Sequence, residues 1–126
     1  LKGFFMVPIV LVSKNLDVPI FQEEVFGPVV SIYIFNNNDD VLKIANDTDY
    51  GLGASLWTKN NQIIDKFKKN INSGALFING MTKSDPRIPF GGIKKSGYGR
   101  ELSIDGIKEF INIKTIVMQK DEVINV

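Results

Sequence analysis

Three apolar runs alternate with two amphipathic segments, and this alternation constrains the fold more than any other feature of the sequence. The runs are rich in Val, Ile, Leu and Phe and span residues 29–35, 52–58 and 75–79. Between them, residues 39–47 and 60–72 place their apolar side chains at helical spacing. Parallel strands joined by short-linked helices form right-handed crossovers. We therefore predict an α/β fold built on a parallel β-α-β-α-β sheet.

The flanking segments extend this core at both ends. Residues 3–13 are apolar and predict an edge strand interrupted at Pro8. Residues 83–100 form a loop rich in Gly, Pro and Ser, and a loop of this length inside a domain is usually functional or disordered. A short helix is predicted over residues 103–110 and a last strand over residues 111–119.

Two absences in the composition limit the chemistry of the chain. Its 126 residues include no cysteine and no histidine, which excludes thiolate nucleophiles and removes the commonest general base and metal ligand. We predict no metal site. The balance of 15 basic and 14 acidic residues provides no general field for nucleic acid or an anionic membrane. We expect a cytoplasmic protein with neither as a partner, because no apolar run reaches the ~18 residues of a membrane span.

The glycine-rich loop resembles a phosphate cradle only in part. Gly92 and Gly97 have the spacing of P-loop glycines, but Tyr98 and Gly99 stand where a lysine and a hydroxyl residue should follow. The dinucleotide pattern GxGxxG fails as well, because Leu102 occupies its last position. Taken alone, the loop predicts an unusual backbone conformation with solvated basic side chains. An anion-binding domain is the alternative if this loop is considered in isolation.

Other polar residues each allow two interpretations. Glu24 and Phe26 border a tight turn, and their residue types alone favour an acidic surface loop pinned by the aromatic ring. Ser84 and Arg87 could hold a ligand carboxylate, although an Asp and an Arg two residues apart more often form a local ion pair. Glu101 could cap the following helix or belong to a proton path, and composition favours the cap.

Four segments taken together resemble one family. In order along the chain they are FQEEVFGPV, YGLGASLWT, GALFIN and PFGGIKKSGYGREL. They are similar to the C-terminal part of the NAD(P)-dependent aldehyde dehydrogenases, and the resemblance runs from residue 3 to about residue 119. It implies an enzyme in which a cysteine thiolate attacks the aldehyde, hydride passes to NAD or NADP, and a glutamate activates water. Those groups lie N-terminal to the segments present here, and nothing in the chain matches them.

On the cofactor side, the resemblance implies roles for three residues. Glu24 matches the glutamate that hydrogen-bonds the nicotinamide ribose, and Phe26 matches the aromatic residue beside the nicotinamide. Glu101 matches a glutamate implicated in proton relay towards the general base, whereas Arg100 matches a structural position.

On the substrate side, the implied residues follow the third apolar run. Ser84 matches a position that lines the substrate pocket, Thr82 is expected nearby, and Phe90 shapes the pocket wall. The segment KSDPRIPFGG is most similar to the succinate-semialdehyde dehydrogenase branch, where Ser84 and Arg87 would suit an aldehyde with a remote carboxylate. The expected partner is therefore a small aldehyde.

The resemblance also divides the chain. Residues 1–110 are expected to belong to the catalytic domain, residues 111–119 to form an oligomerisation strand and residues 120–126 to form a tail. We expect a homo-oligomer, or association with the missing N-terminal part, and no activity from the chain alone. The alternative is a non-catalytic interaction module or one half of a split enzyme. The start at Leu1 rather than Met indicates trimmed or missing sequence ahead of it.

Overall fold

The computed structural model describes residues 2–118 and shows a mixed α/β chain. Its elements are β1 (Ile9–Ser13), α1 (Pro19–Gln22), β2 (Val29–Tyr33), α2 (Asn38–Asn46), β3 (Tyr50–Gly51), β4 (Ala54–Leu56), α3 (Asn61–Asn70), β5 (Leu76–Ile78), β6 (Ile93–Lys94) and α4 (Ser103–Lys108). Among the described residues, no helix has the length and apolar character needed to cross a membrane. The predicted α/β class is confirmed at this level.

The strands form three two-stranded sheets instead of one. β1 pairs in parallel with β2, from Ile9 opposite Val29 onwards, and β4 pairs in parallel with β5. β3 and β6 form an antiparallel pair. Within the described residues no ladder joins β2 to β4, so the predicted continuous β-α-β-α-β sheet does not form in this chain. Apolar runs locate strands along the sequence, but they do not say which strands become hydrogen-bonded neighbours.

Two predicted segments differ in detail from the structure. The strand predicted over residues 52–58 is shorter in the structure, where β4 covers Ala54–Leu56 and Leu52 and Gly53 connect it to β3. The loop at residues 83–100 contains β6, which the sequence did not predict. A two-residue strand is too short to produce a period-two pattern, so only its pairing with β3 makes it visible.

The two longer helices begin at asparagine caps. The Asn37 Oδ1 accepts a hydrogen bond from the Asp40 amide at 2.8 Å, at the start of α2. The Asn60 Oδ1 accepts hydrogen bonds from the amides of Gln62 and Ile63 at 2.9 and 3.3 Å, at the start of α3. A side-chain oxygen in this position satisfies backbone donors that have no partner inside the helix. Both helices were predicted from their apolar spacing.

Gly74 follows α3 closely, where a glycine often ends a helix, but its role here is different. α3 ends at Asn70, and its C-cap Ile71 has an extended backbone with φ −75° and ψ 129°. A Cβ atom on Gly74 would lie 1.8 Å from the carbonyl oxygen of Gly91. Gly74 is therefore required because the glycine-rich loop approaches its backbone closely.

Little of the apolar surface is covered by the chain itself. Leu42 and Phe67 are the buried hydrophobic side chains of the described residues. The accessible surface of the chain is 10892 Å², whereas a folded monomer of this mass would expose about 6,700 Å². Val10 and Val12 on β1 are exposed. This chain therefore leaves apolar faces that a complete globular fold would bury.

The predicted last strand does not form within the single chain. Residues 111–118 have no regular structure, and Ile113, Ile116 and Val117 are exposed. Within the described residues this segment pairs with no strand, so the strand predicted over residues 111–119 is not seen at residues 111–118 of the single chain. Gln119 and the predicted tail at residues 120–126 lie outside the described residues. Pairing of the segment with a second subunit stays a prediction.

Candidate functional site

Glu24 and Phe26 lie in the loop between α1 and β2. The Gly27 amide donates to the Val25 carbonyl at 2.9 Å, which confirms the tight turn. Phe26 is 95 % exposed, so its ring does not pin the loop to the chain. Neither Glu24 nor Phe26 makes a side-chain hydrogen bond within the described residues. Both side chains are therefore accessible from outside the described chain.

Glu24 borders an open cavity of about 540 Å³. Thr48, Asn72 and the Lys95–Ser96 pair from the glycine-rich loop also line this cavity. The Ser96 Oγ accepts a hydrogen bond from the Gly51 amide at 2.9 Å, which fixes the loop against β3. The cavity therefore brings Glu24 and the glycine-rich loop to one region, although they are far apart in sequence.

Thr82 and Ser84 lie in the segment that follows β5. The Thr82 amide donates to the Ser55 Oγ at 3.1 Å, and the two hydroxyl oxygens lie 3.3 Å apart. Ser84 is exposed, and its hydroxyl makes no hydrogen bond within the described part of the chain. Neither residue lines the cavity beside Glu24, so this chain does not join its predicted cofactor and substrate residues in one pocket.

Arg87 is held by Asp85. Its Nε and Nη2 donate to the two carboxylate oxygens at 2.9 and 2.6 Å, and its amide donates at 2.9 Å. The side-chain hydrogen bonds, with the backbone bond second, lower the pKa of Asp85 to about 2. The same pair raises the pKa of Arg87. The structure therefore shows the local ion pair that was the alternative to a free carboxylate-binding arginine.

Phe90 and Glu101 lie opposite each other at the base of the glycine-rich loop. Their backbones form an antiparallel bridge, with hydrogen bonds of 2.9 and 2.8 Å. Both line a second cavity of about 410 Å³, together with Leu52 and Tyr98. The N-cap of α4 is Leu102, and no side chain caps it. The interpretation of Glu101 as a helix cap is therefore wrong.

Arg100 occupies the interior of the glycine-rich loop. Its Nη1 donates to the carbonyl oxygens of Gly92 and Gly99 at 3.0 and 2.7 Å. Gly97 and Gly99 adopt φ values of +129° and +77°, which L side chains rarely reach. A phosphate cradle directs backbone amides at its ligand, whereas this loop directs carbonyls at a guanidinium. The arrangement agrees with the structural position of Arg100 and disfavours the anion-binding alternative.

Several residues that organise the site were not identified from the sequence. The Lys94 Nζ donates to the carbonyls of Asn46 and Thr48 at 3.0 and 2.8 Å, at the end of α2. Lys95 forms an ion pair of 2.6 Å with Asp49, and this hydrogen bond lowers the pKa of Asp49. Each of these contacts joins residues more than 40 positions apart in the sequence, so no local sequence pattern predicts it. Within the described residues, no group of acidic, His or Cys side chains could hold a metal ion.

The chain is similar to known proteins of one family. A sequence profile of the aldehyde dehydrogenase family matches residues 1–116. The chain is 53 % identical over 114 residues to an NADP(+) succinate-semialdehyde dehydrogenase of Mycobacterium leprae, covering 90 % of this chain and 25 % of that protein. A probable enzyme of the same name from Synechocystis is 49 % identical over the same shares. The chain thus spans about a quarter of the length of the curated relatives it matches.

Solved structures give the same result. The succinic semialdehyde dehydrogenase of Streptococcus pyogenes, in complex with NADP+, matches with a TM-score of 0.85 and 39 % identity, over 92 % of this chain and 26 % of that one. A Mycobacterium tuberculosis aldehyde dehydrogenase complexed with NAD+ matches with a TM-score of 0.78 and 41 % identity, over 86 % and 22 %.

Proposed function

Because the chain belongs to the aldehyde dehydrogenase family, we propose that it is part of an enzyme that oxidises a small aliphatic aldehyde to its acid. The substrate is succinate semialdehyde and the cofactor is NADP, with NAD as the alternative. The observation that carries the proposal is the 53 % identity to a relative of that activity over 90 % of this chain. The residues that this chain contributes are the cofactor loop and the substrate segment.

The cofactor loop supplies Glu24 and Phe26. Glu24 would accept hydrogen bonds from the hydroxyls of the nicotinamide ribose, and Phe26 would lie against the ring. Two observations support this role. Both side chains are exposed, and the Glu24 carboxylate makes no hydrogen bond within the described residues. NADP, when bound, would accept the hydride, and the task of these residues is to orient it. Glu101 would move a proton towards the general base supplied by the rest of the enzyme.

The substrate segment supplies Thr82, Ser84 and the wall residue Phe90. Ser84 has the free hydroxyl that a carboxylate-bearing aldehyde needs, since charged acceptors form strong hydrogen bonds. Arg87 already uses its Nε and Nη2 for Asp85, so a substrate carboxylate would be bound through Nη1 or would compete with Asp85. We therefore assign Ser84 the larger share of carboxylate recognition.

A second candidate function is association without catalysis. The observation that favours it is the exposed surface of 10892 Å² in a chain without cysteine. Under both proposals residues 1–110 belong to the catalytic domain, residues 111–119 pair with another subunit and residues 120–126 are a tail. The two differ in whether the complete assembly containing this chain oxidises aldehydes.

The test compares the complete enzyme with the 126-residue chain. We expect the complete enzyme to reduce NADP with succinate semialdehyde faster than with butanal, and the chain alone to show no turnover because it lacks a thiol nucleophile. Ser84→Ala should lower kcat/KM for succinate semialdehyde roughly tenfold, the size of a lost hydrogen bond to a charged group, and leave butanal nearly unchanged. A complete enzyme without aldehyde oxidation would contradict the proposal, and so would turnover by the repurified chain.

A further inference from the structure

The segment that carries Thr82 and Ser84 is hydrogen-bonded at two points to β4 and the residues that follow it. At the first point, the Asn79 amide side chain pairs with the backbone of Thr58. Its Oδ1 accepts from the Thr58 amide at 2.9 Å, and its Nδ2 donates to the Thr58 carbonyl at 3.0 Å. The Asn79 backbone lies in the left-handed region, with φ 53°. The main chain therefore turns away at Asn79, while its side chain continues the hydrogen bonding between β4 and β5. The start of the segment is thereby fixed.

The second point is a pair of hydroxyl residues. The Ser55 Oγ accepts the Thr82 amide at 3.1 Å and lies 3.3 Å from the Thr82 Oγ1. The Thr82 methyl lies over Gly53, where a Cβ would approach it to 2.6 Å. A hydrogen bond on one branch of Thr82 and close packing on the other select a single side-chain rotamer. Ser55 therefore determines where the Thr82 hydroxyl points.

We propose that Ser55 is a positioning residue for aldehyde binding: its hydroxyl holds Thr82, and with it the segment that leads to Ser84, in the orientation that receives the substrate. This inference rests on the proposed function, because it takes Thr82 and Ser84 as substrate contacts. Ser55 lies 27 residues before Thr82 in the sequence and acts only through Thr82. It is exposed on a strand, so its replacement creates no cavity.

The experiment replaces Ser55 by Ala in the complete enzyme. We expect KM for succinate semialdehyde to rise about three- to tenfold, the size of one lost hydrogen bond. We expect KM for NADP to stay unchanged, because the Ser55 side chain makes hydrogen bonds to Thr82 and none to the cofactor loop within the described residues. The melting temperature should fall only slightly, as for one lost hydrogen bond. Ser55→Thr keeps the hydroxyl and should restore KM. Ser31→Ala on β2 is the matched control, since the Ser31 hydroxyl makes no hydrogen bond within the described residues.

Three outcomes would overturn the inference. An unchanged aldehyde KM in Ser55→Ala, with Thr82→Val raising it, removes the role of Ser55 and leaves the proposed function intact. Equal rises in the KM of aldehyde and NADP, without rescue by Ser55→Thr, would show that Ser55 is general scaffolding. An unsubstituted complete enzyme that oxidises no aldehyde overturns the inference together with the proposed function.

Discussion

Asp85 and Arg87 show how a residue's local partner changes what it offers to a ligand. The Asp85 carboxylate receives three hydrogen bonds from Arg87, and its side chain is 23 % exposed against 85 % for Arg87. Asp85 stays charged and paired at neutral pH, because its pKa is about 2. Under the proposed function, a substrate carboxylate would therefore share Arg87 with an anion that is already in place. Ser84 has no such competitor within the described residues.

The Asp85 pair predicts a specific titration. The folded pKa lies below the ordinary value, so the pair contributes above that value and is lost as pH falls towards about 2. Carboxyl ¹³C NMR of the chain should show Asp85 titrating near pH 2. Arg87→Met should raise the midpoint towards the ordinary value of roughly 4 without reaching it, because the backbone amide of residue 87 still donates to Asp85. Lys83→Met should shift the midpoint much less, because Lys83 acts only through its charge. A midpoint unchanged in Arg87→Met would show that the pair does not form in solution.

At the scale of elements, two helix ends are joined by one side chain. The Asn46 Nδ2 donates to the Asn70 carbonyl at 2.8 Å, and its Oδ1 accepts from the Asn72 amide at 2.7 Å. The last turn of α2 and the exit of α3 are thereby held together beside the cavity that Glu24 borders. Lys94 adds its ammonium group to the carbonyl end of α2, where a cation is favourable. The helices thus set the position of the glycine-rich loop.

The start of α3 provides a prediction about an element. Asn60→Ala removes the acceptor for two amides and should lower the free energy of unfolding by roughly 0.5–2 kcal/mol. Asn60→Asp keeps an acceptor and should be nearly neutral. Asn61→Ala is the matched control, because the adjacent asparagine is helical and makes no capping bond. Urea unfolding followed by circular dichroism, at one protein concentration, measures the difference. Equal losses for the two alanine variants would contradict the role of the cap.

At the scale of the whole molecule, the chain exposes far more surface than its mass requires. The exposed side chains include Phe4 and Phe5 near the start, Val10 and Val12 on β1 and Ile113 near the end. Exposed apolar surface on this scale is typical of a chain that associates with another polypeptide. Residues 111–118 add a length of backbone without strand partners in the described chain, which can recruit a further strand.

The isolated chain is therefore expected to self-associate. Sedimentation at micromolar concentration should show a dimer or larger species for the 126-residue chain. A variant ending at Phe110 should associate less, because it lacks the exposed Ile113, Ile116 and Val117. If both species sediment as monomers, the terminal segment is not an association element. Equal association of both species would place the interface elsewhere on the apolar surface.

The sequence by itself determined the local elements. α2 and α3 were predicted because the apolar residues of each helix recur at helical spacing within one short segment. The positions of β2 and β5 were predicted because buried strands are continuous apolar runs. The family likewise follows from ordered motifs that need no structure.

Only the tertiary structure decided how these elements meet. The strand pairs of the three sheets and the hydrogen bonds between Ser55 and Thr82 join residues that are between 20 and 44 positions apart in the sequence. Neither hydrophobic period nor propensity encodes contacts at such a distance. The same holds for Gly74, whose local context suggested a helix cap and whose requirement is the nearby Gly91 carbonyl. Local patterns record what each segment can form, and the contacts between segments depend on where the folded backbone brings them.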